Sequence, residues 1–328
     1  METNANHQSP PSALVAWAQL VRLPNVFTVL ADVGAAYLLV AQGPQPVGRF
    51  LCVLASAIAL YWAGMILNDV FDVSQDEIER PSRPIPAGLI SISQASRAGW
   101  GLLIVGVLLA TVSGQLPSAN VATTWLPALV AILLAVMIVA YDGPLKKTPL
   151  APAAMGACRV LSFLLGASPC LVATGWPLFP RYVVGIALGF GVYIMGITTM
   201  ARQEAAVEDE FSSRRSPTLS TGLLVTVIGC VLLAYAPTTN HGVVGWYLPT
   251  QAFALVIGMI AIPVLLRALR AVSDPTPAKI QTTIRVGILS IIPLAAAVAF
   301  LGAGPAYGAS IFALALPAVL IAAKFRVT

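Results

Sequence analysis

An all-α membrane fold of nine or ten transmembrane helices is what this sequence predicts, and three observations predict it. Of the 328 residues, 58% are hydrophobic and only 9% are charged, whereas soluble domains carry about 25% charged residues. Mean hydropathy is +0.87, which excludes a soluble globular domain. Apolar runs long enough to cross a bilayer recur along the whole chain, and most basic residues collect between alternate runs.

The runs lie at roughly 20–41, 49–68, 97–114, 122–141, 153–174, 182–203, 217–236, 246–268, 284–303 and 306–323. Each is near the ~20 residues that an α-helix needs to cross a bilayer core. The last two are separated only by Gly302-Ala303-Gly304-Pro305. That linker allows a tight helical hairpin, which gives ten spans, or one broken element, which gives nine. Residues 1–13 read as a polar tail, with no basic stretch before an apolar core, so no cleaved signal peptide is expected. Residues 14–328 read as one transmembrane domain. It comprises two four-helix halves, about 20–141 and 153–268, and then the C-terminal helices. The halves form a weak repeat, because the second helix of each ends in acidic residues, and a pocket between them is expected.

The basic residues set the orientation. With the amino terminus inside, Arg80, Arg83, Arg97, Lys146, Lys147, Arg202, Arg214, Arg215, Arg267, Arg270, Lys279 and Arg285 fall on or near one side. Lys324 and Arg326 join them if there are ten spans, and only Arg49 and Arg181 fall opposite. Basic loops mark the cytoplasmic face, so an inner (cytoplasmic) membrane location with the acidic ends facing the cytoplasm is expected. Cys52, Cys158, Cys170 and Cys230 lie in apolar runs without a CxxC pair and read as small core residues. His7 and His241 have no partners in the pattern and read as solvated. Nothing points to nucleic-acid binding.

The second run ends in Asn68-Asp69-Val70-Phe71-Asp72-Val73-Ser74-Gln75-Asp76. If the helix continues, Asn68, Asp72 and Asp76 fall at i, i+4 and i+8 on one face. Such oxygens are expensive in a bilayer, and less so near a helix end. Together with Asp69 they suit Mg²⁺, which is held by a few carboxylates, water and substrate phosphate. The sixth run ends in a second acidic group, with Glu204 and Glu208 at i, i+4, so a second Mg²⁺ site is expected there. Arg80 and Arg83 follow the first motif, Lys146 and Lys147 follow the fourth run, and Arg159 lies inside the fifth. These five are the candidate phosphate ligands. An intramembrane Arg159 needs a partner, for which phosphate or an acid of either cluster would serve. Arg22 and Asn25 could also reach the pocket, and Asp32 has no evident partner.

The first motif, the following Ser82-Arg83-Pro84-Ile85-Pro86-Ala87-Gly88, the Tyr141 to Lys146 loop and the acidic end of the sixth run resemble the UbiA superfamily of intramembrane prenyltransferases. The likeness runs from Val21 to about Arg285. Leu20 to Asn25 and Ala201 to Glu204 are most similar to its UbiA-like group called EboC. The resemblance implies a helical bundle around a large apolar cavity. Both acidic motifs would hold Mg²⁺ and an isoprenyl diphosphate at the cytoplasmic mouth, with Asn68, Asp72 and Asp76 matching the first motif. Glu204 and Glu208 stand where the family usually has aspartates, and Met200-Ala201 where it has Tyr-Ala. The implied reaction is Mg²⁺-dependent transfer of an isoprenyl group to a small acceptor, often aromatic, inside the membrane. The tail would lie along apolar walls or pass into membrane lipid. A terpene cyclase and a non-catalytic lipid-diphosphate binding protein are the alternatives. Tyr61, Trp62, Phe71, Phe163 and Tyr193 are candidate aromatic faces for a carbocation.

Overall fold

A computed structural model describes residues 12–119, 121–172, 178–207, 217–240, 242 and 245–324. Among them there are helices and no strands. The helices are α1 (Ala13–Leu20), α2 (Val26–Ala41), α3 (Val47–Phe71), α4 (Val73–Glu79), α5 (Ile92–Gln115), α6 (Leu126–Ala140), α7 (Ala151–Ala167), α8 (Arg181–Val207), α9 (Pro217–Tyr235), α10 (Thr250–Ser273), α11 (Pro277–Leu289), α12 (Ile291–Ala303), α13 (Pro305–Ala313) and α14 (Ala315–Lys324). Among the described residues, ten helical segments are long and apolar enough to cross a membrane. The ninth joins α11 to α12 across a turn at Ser290, and the tenth joins α13 to α14 across Leu314. Of the two sequence expectations, the ten-span count agrees with this. α14 packs beside the 3₁₀ turn Leu23–Asn25, so the tenth segment ends on the face where the first begins.

Two elements differ from the sequence expectation. α1 is a separate short helix ahead of the first span. Its Ala16 and Leu20 pack with Ile66, Ile85, Ile90 and Ala95, which seats the loop after the first acidic motif. The second span also stops being regular at Asp72, one turn after Asn68.

The halves repeat in their packing. α3 packs on α5 and α8 on α9, so the second and third helices pair in each half, while α2 meets α7 at the junction. Between helices in lipid there is little hydrophobic drive, so close contact of small residues does the work. A Cβ added at Gly196 would stand 2.3 Å from Thr226 Oγ1 and 2.6 Å from the Gly222 carbonyl oxygen, so α8 and α9 touch through their backbones. The first and ninth spans are each 72% buried, and the tenth only 17%, so the former are central and the latter faces lipid.

Opposite the acidic face, Arg49 on α3 is completely buried. Its Nε donates to the Leu116 carbonyl (2.9 Å), Nη1 to those of Ala122 (3.0 Å) and Pro169 (2.7 Å), and Nη2 to that of Val121 (3.0 Å). One guanidinium therefore ties α3, the α5–α6 connection and the turn after α7.

Candidate active site

The end of α3 presents the first motif. Asp72 has φ −92° and ψ 0°, off the helical values, yet helical hydrogen bonds run through it. Its N–H donates to the Asn68 carbonyl (3.1 Å), and the Asp76 N–H donates to its own carbonyl (2.9 Å). The chain bends without unwinding, so Asn68, Asp72 and Asp76 remain in register.

Cations meet these acids directly. Lys146 Nζ donates to Asn68 Oδ1 (2.7 Å) and to Asp72 Oδ2. Arg83 Nη1 donates to Asp76 Oδ2 (2.5 Å) and to Asp69 Oδ1 (3.3 Å). Arg22 Nη2 also reaches Asp69 Oδ1 (3.3 Å). Asn68 Nδ2 bridges Asp69 Oδ1 (3.2 Å) and Asp72 Oδ2 (3.4 Å). Arg22 sits in the left-handed region at φ 47°, a conformation that non-glycine residues hold only where the surroundings enforce it. Lys146 follows a single π-helical turn, Tyr141–Leu145, at the end of the fourth span. Such turns are rare and recur at functional sites.

Beside the motif, between the two halves, lies a cavity of about 290 Å³. Gly64 and Met65 of α3 line it one turn before Asn68, and Ile194, Thr198 and Ala201 of α8 form the facing wall. Arg22, Asn25, Tyr61, Tyr141, Asp142 and Arg159 supply its polar and aromatic lining. The volume is near the lower end for small-ligand pockets. A second, more open groove of about 510 Å³ lies where Pro149, Thr199, Arg202 and Thr221 meet, and among the described residues no acid lines it. The smaller cavity adjoins the acids and is the better candidate.

Arg159 lines this cavity, but its acid comes from neither cluster. Its Nε lies 3.0 Å from Asp32 Oδ2, which answers the missing partner of Asp32 and corrects the expectation for Arg159. The spacing is that of an ion pair, yet neither atom makes a hydrogen bond, so the charges face each other with the N–H misaligned. Arg159 Nη2 donates to the Thr28 carbonyl (3.3 Å). Asp32 is fully buried, so removing either partner would strand a charge.

The remaining candidates divide. Arg80 and Lys147 are exposed and make no side-chain contact to the motif among the described residues. Glu204 belongs to α8, one turn beyond cavity-lining Ala201. Its side chain, and the whole of Glu208, lie outside the described residues. Of the five aromatics, only Tyr61 lines the cavity. Phe71 is exposed, Phe163 stacks on Phe190 at 5.4 Å, and the Tyr193 hydroxyl bonds Ser290 Oγ at 2.6 Å. The four cysteines are free, as expected. Asp142 is not among the sequence candidates. The available signal was an acid beside Tyr141 at a span's end.

Among the described residues no three His, Cys, Asp or Glu side chains gather around one point. Mg²⁺ does not require that, since one or two carboxylates with phosphate and water suffice. Asn68 Oδ1 and Asp72 Oδ2 converge on one cationic atom, the Lys146 ammonium. The donor set is hard oxygen throughout, so these residues fit the ion.

The fold is shared with solved structures. One described as digeranylgeranylglyceryl phosphate synthase in membranes superposes with TM-score 0.63 at 20% identity, covering 89% of this chain and 99% of that one. A UbiA homolog from Aeropyrum pernix gives TM-score 0.59 at 18% identity over 85% and 97%. A UbiA homolog from Archaeoglobus fulgidus bound to GPP and Mg²⁺ gives 0.55 at 13% over 91% and 99%. The digeranylgeranylglyceryl phosphate synthase of Metallosphaera sedula is 36% identical over 133 residues, 40% of this chain and 42% of the relative. That of Ignicoccus hospitalis is 36% identical over 138 residues, 42% and 41%. The chain thus spans less than half the length of these curated relatives. None of these likenesses bears on the EboC group. The model of the UbiA prenyltransferase family matches residues 26–285, taking in the first acidic motif and most of the residues that line the cavity, and the chain belongs to that family.

Proposed function

We propose that this chain binds an isoprenyl diphosphate with Mg²⁺ at the mouth of the cavity and transfers the isoprenyl group to a small acceptor inside the membrane. The observation that carries this reading is the ring of Asn68, Asp69, Asp72 and Asp76 interleaved with Arg22, Arg83 and Lys146, set against an apolar cavity. Bound Mg²⁺ would supply charge that stabilises the departing diphosphate. Lys146, Arg83 and Arg22, now paired with the carboxylates, are free to turn to phosphate oxygens once those carboxylates hold a metal, Arg through its planar fork. Arg80 and Lys147, exposed at the rim, would draw in the anion by charge alone. The apolar walls hold the tail and keep water from the allylic cation, and the Tyr61 ring offers it a π face. Arg159 lies deeper and is held by Asp32, so its part is to keep positive charge at the cavity wall.

The acceptor is open between two classes. The names of the curated relatives favour a glyceryl phosphate lipid, and a small aromatic acceptor is the other. Product analysis by mass spectrometry, after supplying isoprenyl diphosphates of several lengths with both acceptors, tests the reading. Mg²⁺-independent or absent diphosphate release would defeat it. Glu204 and Glu208 are expected to share in metal and diphosphate binding. Glu204→Gln should therefore raise the Mg²⁺ concentration needed for diphosphate binding, and curves identical to wild type would remove the second motif from the site.

The site is expected to face the cytoplasm of a cell whose inner membrane holds the protein, from the charge asymmetry. Single cysteines at Lys146 and Tyr247 should label from opposite sides in intact cells. Labelling of position 146 from outside would reverse the orientation.

A further inference from the structure

Every acid of the first motif accepts a hydrogen bond from a cation or from Asn68, whereas Asp142 does not. Asp142 is 5% exposed, it lines the cavity, and its Oδ2 is buried with no hydrogen-bond partner among the described residues. Buried carboxylate oxygens without donors are rare and call for an explanation. The nearest cation in sequence, Lys146, is committed to Asn68 and Asp72. The other charged or titratable groups facing Asp142 are Asp69 of α3, Asp72 just after it, Arg22, Tyr141 and Cys158 of α7. Arg22 bonds Asp69 instead.

An oxygen that faces a cavity is satisfied by what enters the cavity. An isoprenyl tail has no donor, and an ionised diphosphate has none and bears the same charge as the carboxylate. The donor must come from the second substrate. We propose that Asp142 binds a hydroxyl group of the molecule that receives the isoprenyl chain and takes its proton during transfer. This rests on the prenyl-transfer reading of the cavity and narrows the acceptor to one with an O–H nucleophile. The bond from isoprenyl C1 to the diphosphate oxygen breaks, and its electron pair leaves with diphosphate. The acceptor oxygen bonds to C1, and its proton passes to Asp142 Oδ2 and then to water. A carbon nucleophile on an aromatic ring would need no such oxygen before bond formation. The π-helical turn serves this arrangement, because it sets Tyr141 and Asp142 at the cavity while Lys146 reaches the motif.

The test uses the full chain in nanodiscs, with geranylgeranyl diphosphate as donor. Geranylgeranylglyceryl phosphate and an aliphatic alcohol serve as hydroxyl acceptors, and an aromatic ring that lacks a hydroxyl serves as control. Asp142→Asn keeps the size and removes the negative charge. It should bind geranylgeranyl diphosphate as wild type does and lose transfer by about 10²–10⁴-fold, the usual share of a proton acceptor. Asp142→Glu should restore part of the transfer, and the acid limb of the wild-type rate profile should disappear in Asp142→Asn. Wild-type transfer by Asp142→Asn overturns the inference, as does transfer by wild type only to the ring without a hydroxyl. Loss of donor binding in Asp142→Asn also overturns it, since Asp142 would then belong to the diphosphate site. If wild type binds no isoprenyl diphosphate of any length, the prenyl-transfer reading falls and the inference falls with it.

Discussion

Asp72→Ala should lower Mg²⁺-dependent diphosphate release about 10²–10³-fold, the loss usual when one preorganised electrostatic partner of the reacting group is removed. Asp72 holds the centre of the stripe, between Asn68 one turn before it and Asp76 one turn after. Its Oδ2 takes hydrogen bonds from both Lys146 and Asn68. Truncation removes a metal ligand and frees Lys146 from its position in one step. The side chain is partly accessible at the helix end, so folding should survive, and size-exclusion behaviour and thermal unfolding in detergent would show this. Asp76 offers a contrast, because it is almost fully buried and bonded to Arg83. Asp76→Ala should therefore cost stability as well as turnover. A purified Asp72→Ala protein that turns over near the wild-type rate at saturating donor would mean that the stripe is not where diphosphate leaves.

Arg49→Met should destabilise the protein by about 3–5 kcal/mol, because up to four carbonyl oxygens lose their donor and an unsatisfied buried acceptor costs about 1–3 kcal/mol before relaxation. The carbonyls of Leu116, Val121, Ala122 and Pro169 belong to two connections on the face opposite the acids. Arg49→Lys should recover only part, since an ammonium cannot reproduce the planar fork. The measurement is thermal unfolding in detergent. Protein that does fold should still bind isoprenyl diphosphate, because the acids lie across the membrane from this residue. An Arg49→Met protein as stable as wild type would show that the loops hold without the guanidinium.

Much of this was legible in the sequence. Nine or ten spans followed from length and hydropathy, and the first motif followed from three oxygens at helical spacing. The cations that close on it were less so. Arg83 and Lys146 stood in the right loops, but so did Arg80 and Lys147, and basic loops are expected at a cytoplasmic face whatever they do. Only packing separates the two that reach the acids from the two that do not. Asp32 and Arg159 each announced a missing partner, and their pairing is a contact between helices of different halves that no local pattern encodes. Arg49 gave its depth in the chain but not its task, because its partners are backbone carbonyls, which every residue has. Asp142 was hidden by its surroundings: an acid at a span's end is ordinary until the cavity beside it is known.

The π-helical turn at Tyr141–Leu145 has one more effect, on how this stretch can change in length. An α-helix advances about 100° per residue, so five steps in an α-helix would leave Lys146 well out of phase with Tyr141. The wider turn absorbs the surplus residue and brings the two back towards a common direction. A chain one residue shorter here could close an ordinary α-turn and aim its lysine much the same way. Spacing and aim are thus decoupled at this point. A relative one position shorter here would keep its ammonium on the acids it serves, and a motif written with a fixed gap would miss it.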